Sequence, residues 1–491
     1  MGDNSLSAHS LPQNTLQLLM IASNSFIPEK ALETLIEASR TSEGRSDLAS
    51  KTVLPTVLNL CQTLSYPSSS HLLLLSLKLL RNLCAGELIN QNLFVEHKGV
   101  GIVFDVLNSV STSDSDYEMM HIGLQVLANV SLAGGGHQLA IWNQFFPLEF
   151  IEFARIRRRE ICDPLWMIIY TCCKGSKELI AQLCGDQGLP IMLEILQTAS
   201  IVDGGEDWLK ILLSKLCFEE NQFPRLFSGL CSVSTSGNVK DIRFRDDTFI
   251  SEQAFLLGMI SEILNEGLGE ISISNDFASY VFGIFKQVAG VIGSVSRVKS
   301  GLPTGSVFLD VLGYSLTILR DICARDGGGC RDDNSVDIVS SLLSLGLLEL
   351  LLSLLQELEP PSVIRKAMKQ SENQEGTSHS SKPCPYKGFR RDMVGVIGNC
   401  AYRRKHVQDE IRERNGILLL LQQCVTDEDN PFLREWGIWS VRNLLEGNAE
   451  NQHAVAGLEL QGSVDIPEIS GLGLKVELDQ KTGRAKLVNV S

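Results

Sequence analysis

Thirteen cysteines and eight histidines are the side chains of this 491-residue chain best suited to metal or nucleophile chemistry. Their spacing directs them elsewhere. There is no CxxC pair and no His-Glu-x-x-His pair, so neither a zinc centre nor a zinc-peptidase helix is written in the chain. Cys84, Cys172, Cys217 and Cys323 share the eighth place of a recurring nine-residue phrase, where Ser131 and Ala401 also stand. A small residue recurring at one helical position serves close helix packing, and free cysteine behaves there as a small hydrophobe. Cys384 and His379 share a polar stretch but offer only two ligands, too few for a metal site. GLGL at 471–474 lacks the third glycine of a dinucleotide fingerprint, and no phosphate loop, nucleophile elbow or kinase signature occurs. These residues predict no catalytic centre, no cofactor and no metal: the chain is not an enzyme.

Asparagine offers a different chemistry. The phrase reads LKLLRNLCA at 77–85 and LQVLANVSL at 124–132, then LWMIIYTCC, KILLSKLCF, LGMISEILN, LTILRDICA, VGVIGNCAY (394–402) and IWSVRNLLE (438–446). Its sixth residues are Asn82, Asn129, Tyr170, Lys215, Glu262, Asp321, Asn399 and Asn443. An Asn amide both donates and accepts, so a row of them along a groove could hold a peptide backbone. The row holds at both ends and fails through four middle copies. Asn82 and Asn129 are therefore candidate groove residues, with bridging between neighbouring helices as the other use of the same amides.

Positions one, four and seven of the phrase are apolar or nearly so, which places them on one helical face. Successive sixth positions lie 47, 41, 45, 47, 59, 78 and 44 residues apart. Most of these intervals match an armadillo or HEAT period. The two long ones coincide with GVIGSVSRVKSGLPTGS at 290–306 and a polar Pro/Gly/Ser stretch at 360–388. Shorter apolar blocks meet at glycines between the phrases, as at 87–107 and 406–424, giving three helices per repeat. The expected fold is all-α: an armadillo/HEAT-like right-handed superhelical solenoid of short helices with a polar loop insertion. The expected organisation is an N-terminal helical cap or imperfect repeat (1–70), armadillo-like repeats (71–359), a flexible polar loop (360–388), C-terminal repeats (389–461) and a tail (462–491). In that tail, LKVELDQKTGRAKLV alternates around a Lys-Thr-Gly turn and predicts a small hairpin.

A formal charge of −15 excludes nucleic acid as the main partner, because phosphate neutralisation needs a basic surface. The longest apolar run, 338–355, carries Glu349 and four serines, so no membrane insertion is expected. The first residues lack a basic and apolar leader pattern, and the cysteines read as reduced thiols, which together predict a cytoplasmic protein.

Charge is polarised near the C-terminus. Residues 386–416 carry eight Lys/Arg against four Asp/Glu, and 427–450 carry six acids against two arginines. Such a bipolar block suits docking of another protein or head-to-tail pairing of copies. Trp436 and Trp439, three apart, share one side of a helix beside Arg434 and Arg442.

The run GFRRDMVGVIGNCAYRRKHVQDEIRE, the acidic turn DEDNPF and REWGIWSVRNLLEGNAENQ together resemble the C-terminal domain of the ataxin-10 family. The tail LKVELDQKTGRAKLV is similar to that family's ending. The resemblance implies a cytoplasmic, non-enzymatic scaffold of armadillo-like fold that tends to self-associate; animal members are associated with signalling, neurite outgrowth and cytokinesis. It brings no catalytic residues with it. The residues expected to bind a partner protein are Arg390, Arg391, Asn399, Arg403, Arg404, Trp436, Trp439 and Asn443. The competing reading is an armadillo-type peptide-binding transport adaptor gripping basic peptides on the asparagine row.

Overall fold

The computed structural model describes residues 27–110, 117–202, 207–234, 249–267, 271–292, 296–325, 337–365, 382–458, 474–478 and 485–489. The chain divides into two compact units, Met1–Asn238 and Val239–Ser491. Every recurring phrase lies within or at the end of a helix, and we number only these helices. The first unit holds α1 (Ser70–Leu83), α2 (Tyr117–Ser131), α3 (Arg159–Lys174) and α4 (Asp207–Ser214). The second holds α5 (Ser251–Glu266), α6 (Val307–Arg325), α7 (Phe389–Ala401) and α8 (Leu433–Leu445). Within each unit every numbered helix packs on the next.

Six of them are preceded by two further helices, as at Leu88–Glu96 and Gly99–Ser109 before α2, or Lys405–Glu413 and Gly416–Leu421 before α8. This is the three-helix armadillo layout, and the chain is an all-α solenoid with its core along the numbered helices. Leu77, Leu80 and Leu83 in α1 and Leu124, Leu127 and Val130 in α2 are fully or almost fully buried, because spacing of three and four keeps them on one face. The eighth-position cysteines are buried too, and burial pushes the Cys172 thiol up to about 12, which leaves it an inert packing group. The phrase at 210–218 departs from the pattern: α4 passes into a π-helical turn, Lys215–Glu219.

The glycine between the shorter helices has a different purpose from the left-handed turn its position suggests. Lys98 and Asn415, one residue earlier, take the positive φ (56° and 59°). A Cβ on Gly99 would stand 2.7 Å from the Phe94 carbonyl oxygen, and one on Gly416 2.9 Å from that of Ile411. Glycine is required there by close approach to the preceding helix.

The described parts of both insertions pack within the second unit. Val298 N–H donates to the Pro385 carbonyl at 2.9 Å and Lys387 N–H to that of Ser300 at 3.0 Å. Tyr386 is buried against Phe389, with ring centroids 5.3 Å apart, so 382–388 packs with α7; residues 366–381 of the polar stretch lie outside the described residues. The apolar run at 338–355 folds as Ile338–Ser344 and Leu347–Glu357, bent by 63°; no single helix among the described residues is long and apolar enough to cross a membrane. The tail contains the hairpin its alternation predicts: Leu474–Leu478 pairs antiparallel with Ala485–Asn489, with Val476 opposite Leu487.

Candidate protein-interaction surface

The α7–α8 pair is closely packed. A Cβ on Gly398 would lie 2.2 Å from Ser440 Oγ, so α8 approaches α7 as far as a bare backbone allows. Ser440 Oγ donates to the Val394 carbonyl at 2.9 Å across the contact. Asn443 Nδ2 donates to the Gly398 carbonyl at 3.0 Å, and Asn399 Nδ2 to that of Arg320 at 3.2 Å. In the first unit Asn129 Nδ2 donates to the Arg81 carbonyl at 2.9 Å, while Asn82 Nδ2 reaches Ser39 Oγ at 3.1 Å. At Asn129, Asn399 and Asn443 the acceptor is the carbonyl just before the sixth position of the preceding phrase. These amide donors tie each repeat to the one before it.

The charged residues divide between interior and surface. Arg390 is 2% exposed; its Nη1 donates to Gln423 Oε1 at 3.1 Å, Nη2 donates to the Glu359 carbonyl, and its backbone N–H donates to Asn430 Oδ1 at 3.0 Å. Arg391 forks onto Asp392 at 2.9 and 3.0 Å. Asp392 is itself 1% exposed and also receives Arg320 Nη1 at 2.7 Å, so two guanidinium groups meet one buried carboxylate. Arg404, also buried, donates to Asp337 at 3.3 and 3.4 Å. Asn399 and Asn443 are buried with the asparagine ties. Arg403 is exposed, at φ 54°, with its guanidinium 5.0 Å from the Tyr402 ring centroid.

On α8, Leu433, Gly437, Ser440 and Leu444 face inward, so positions 435, 438, 439 and 442 turn outward. Ile438 is 55% and Trp439 44% exposed, and Phe432 at the start of α8 is 68% exposed. The Arg442 guanidinium sits 5.0 Å from the Trp439 ring centroid. Trp436 is half-buried against α7, where a Cβ on Gly395 would lie 3.2 Å from its Cε3. The structure thus leaves Arg403 and Trp439 open, Arg391 and Trp436 partly open, and Arg390, Asn399, Arg404 and Asn443 inside.

One recurring group escaped the sequence reading. Gln91 Nε2 donates to the carbonyls of Cys84 and Asn129, both at 2.9 Å, and Gln408 Nε2 to those of Ala401 (3.2 Å) and Asn443 (2.9 Å). Gln138 and Gln452 reach the Ser131 and Leu445 carbonyls at 3.1 and 2.8 Å. Each glutamine stands seven residues after an eighth phrase position and caps carbonyls that the end of a helix leaves unpaired. The seven-residue offset was present in the sequence as a countable signal.

The family model described as the spinocerebellar ataxia type 10 protein domain matches residues 389–488. Bovine ataxin-10 is 24% identical over 475 residues, covering 91% of both chains. Residues 389–488 carry the ataxin-10 domain, and the chain is similar to ataxin-10 along most of its length. The match to the ataxin-10 homolog of Dictyostelium discoideum is sharper but shorter: 38% identity over 104 residues, 21% of this chain and 17% of that one. A crystal structure of an engineered protein is similar at 13% identity and a TM-score of 0.34, covering 89% of this chain and all of that one. The ataxin-10 domain begins at the first residue of α7 and runs through α8 to the hairpin. It therefore contains the Asn443–Gly398 tie, Asn399, Asp392 with Arg391, and the open Trp439 face.

Proposed function

We propose that this chain is a non-catalytic scaffold that binds proteins, other copies of itself among them, through the exposed face of α8. The observation that carries this reading is Ile438, Trp439 and Phe432, large apolar side chains left open, with the Arg442 guanidinium over the Trp439 ring. Tryptophan with arginine beside it is the pairing most often found at the energetic centre of interfaces. The name of the matching domain model points to homo-association, which supports a second copy as one partner. Buried Arg390, Asn399, Arg404 and Asn443 hold this surface in shape, and Arg391, Arg403, Trp436 and Trp439 meet the partner. Similarity to ataxin-10 supports the non-catalytic reading and a cytoplasmic place in signalling or cytokinesis assemblies.

Light scattering of the full chain at increasing concentration tests the proposal. Association is expected for the wild type and loss of it for Trp439→Ala and Arg403→Glu, with helical content unchanged. A monomer at about 100 µM, or association that ignores both substitutions, overturns it.

A further inference from the structure

Arg81 in the first unit and Arg320 in the second occupy the fifth position of their phrases and are held in nearly the same way. Arg320 Nε and Nη2 donate to Asp321 Oδ1 at 3.1 and 3.0 Å, and Nη1 donates to Asp392 Oδ1 on the next numbered helix at 2.7 Å. Arg81 Nε and Nη2 donate to Asn82 Oδ1 at 3.1 and 2.9 Å, and Nη1 donates to Gln125 Oε1 on the next numbered helix at 3.3 Å. The frame is shared, but each carboxylate of the second unit is replaced by a neutral amide in the first. Burial alone lowers the Arg81 pKa; at Arg320 the same burial is outweighed by Asp392 and Asp321, which raise it. The second unit neutralises its arginine internally, and the first leaves a positioned guanidinium whose charge is unmatched by these partners.

That guanidinium faces a cavity of about 410 Å³ built by α1–α4 and lined by Arg81, Gln125, Asn129, Asp163, Met167 and Trp208, among others. Trp208 rests on Tyr170 with ring centroids 5.9 Å apart. Asp163 adds an acid to the wall, and its buried Oδ1 has no hydrogen-bond partner. The cavity therefore offers a cation, an apolar floor and an acceptor that needs an N–H.

We infer that this cavity receives an extended acidic peptide. One Glu or Asp side chain sits on Arg81, a peptide N–H meets Asp163, and an apolar side chain lies on Met167 and Trp208. The charge count selects a carboxylate over a phosphate: one guanidinium shares the wall with Asp163, which suits a monoanion and repels a dianion. The sign is opposite to that of a groove for basic peptides. The site lies within the first unit and does not depend on the α8 face.

The probe is a fluorescein-labelled, capped decapeptide of Ser and Leu around one central Glu, titrated by anisotropy with the full chain. Gln and phosphoserine analogues at the central position form the comparison arms. Saturable binding of the Glu peptide is expected, weakened about tenfold or more in the Gln analogue and by Arg81→Met. Gln125→Glu is the decisive variant. It supplies the carboxylate that Arg320 already has, so it preserves the fold and is expected to lower affinity by a similar factor. Equal binding of the Glu and Gln peptides, unchanged affinity in Gln125→Glu, or no saturation below about 1 mM overturns the inference. Tighter binding of the phosphoserine peptide overturns the choice of a carboxylate.

Discussion

Asn443 Nδ2 donates to the Gly398 carbonyl at 3.0 Å, and both groups are buried where α8 crosses α7. The relation repeats between Asn399 and Arg320 and between Asn129 and Arg81, two numbered helices at a time. A residue type that could have faced a ligand is directed into the joint between repeats. The consequence is energetic: a buried carbonyl left without a donor costs its full desolvation.

Asn443→Ala should therefore destabilise the second unit by about 1–3 kcal/mol, by stranding the Gly398 carbonyl. Urea unfolding followed by tryptophan fluorescence reads this directly, since Trp436 and Trp439 lie on α8. An unchanged midpoint would show that the tie is dispensable.

Glycine-to-alanine substitution should change sign with position. An exposed or roomy helical site gains up to about 1 kcal/mol from the better helix former. Gly101 is such a site, with no atom within 4 Å of a built Cβ. At Gly398 the new Cβ would stand 2.2 Å from Ser440 Oγ and 2.9 Å from Ser440 Cα. Overpacking costs of about 1–3 kcal/mol should win there, so thermal melts should move up for Gly101→Ala and down for Gly398→Ala.

The Asp392 cluster should be fragile to removal of one member. Asp392→Ala leaves Arg391 without its fork and Arg320 with only Asp321, at an expected cost of about 3–5 kcal/mol. Asp392→Asn keeps an acceptor for both guanidinium groups and should cost less than Asp392→Ala. Guanidinium chloride titrations of the three proteins compare them. A single variant within about 1 kcal/mol of wild type would contradict the assignment.

Asp409 gives the acid limb a defined contribution. Asn448 Nδ2 at 2.9 Å, Lys405 Nζ at 3.0 Å and Arg412 Nη1 at 2.8 Å hold its pKa down at about 2. Because the folded pKa lies below the unfolded value near 3.9, the stabilisation is complete above about pH 4. It is lost as pH falls toward 2. Melting temperatures of the wild type and Asp409→Asn, taken across this window, should converge at its acid end. A constant gap from neutral pH to the acid end would refute this.

Much of the fold was legible because it depends on period. Leu77, Leu80 and Leu83 announce a buried helical face by spacing alone, and the intervals between phrases announce the repeat. The alternation of LKVEL and AKLVN likewise announces the hairpin. The site was less legible. Arg390 and Arg403 belong to the same basic block, yet one is buried on Gln423 and the other is open to solvent. Nothing in local composition separates them, because the partner of Arg390 stands 33 residues away along the chain.

By itself the sequence determined the all-α repeat, the helical faces that form its core, the packing role of the eighth-position cysteines and the resemblance to the ataxin-10 family. These follow from residues a few positions apart, whose relation a helix fixes in advance. Only the tertiary structure decided which polar residues join the repeats and which remain free. Asn443 reaches Gly398, Arg404 reaches Asp337, and Arg320 reaches Asp392 across 45, 67 and 72 residues. Those pairings depend on how closely one helix seats on the next, a distance set by packing in three dimensions.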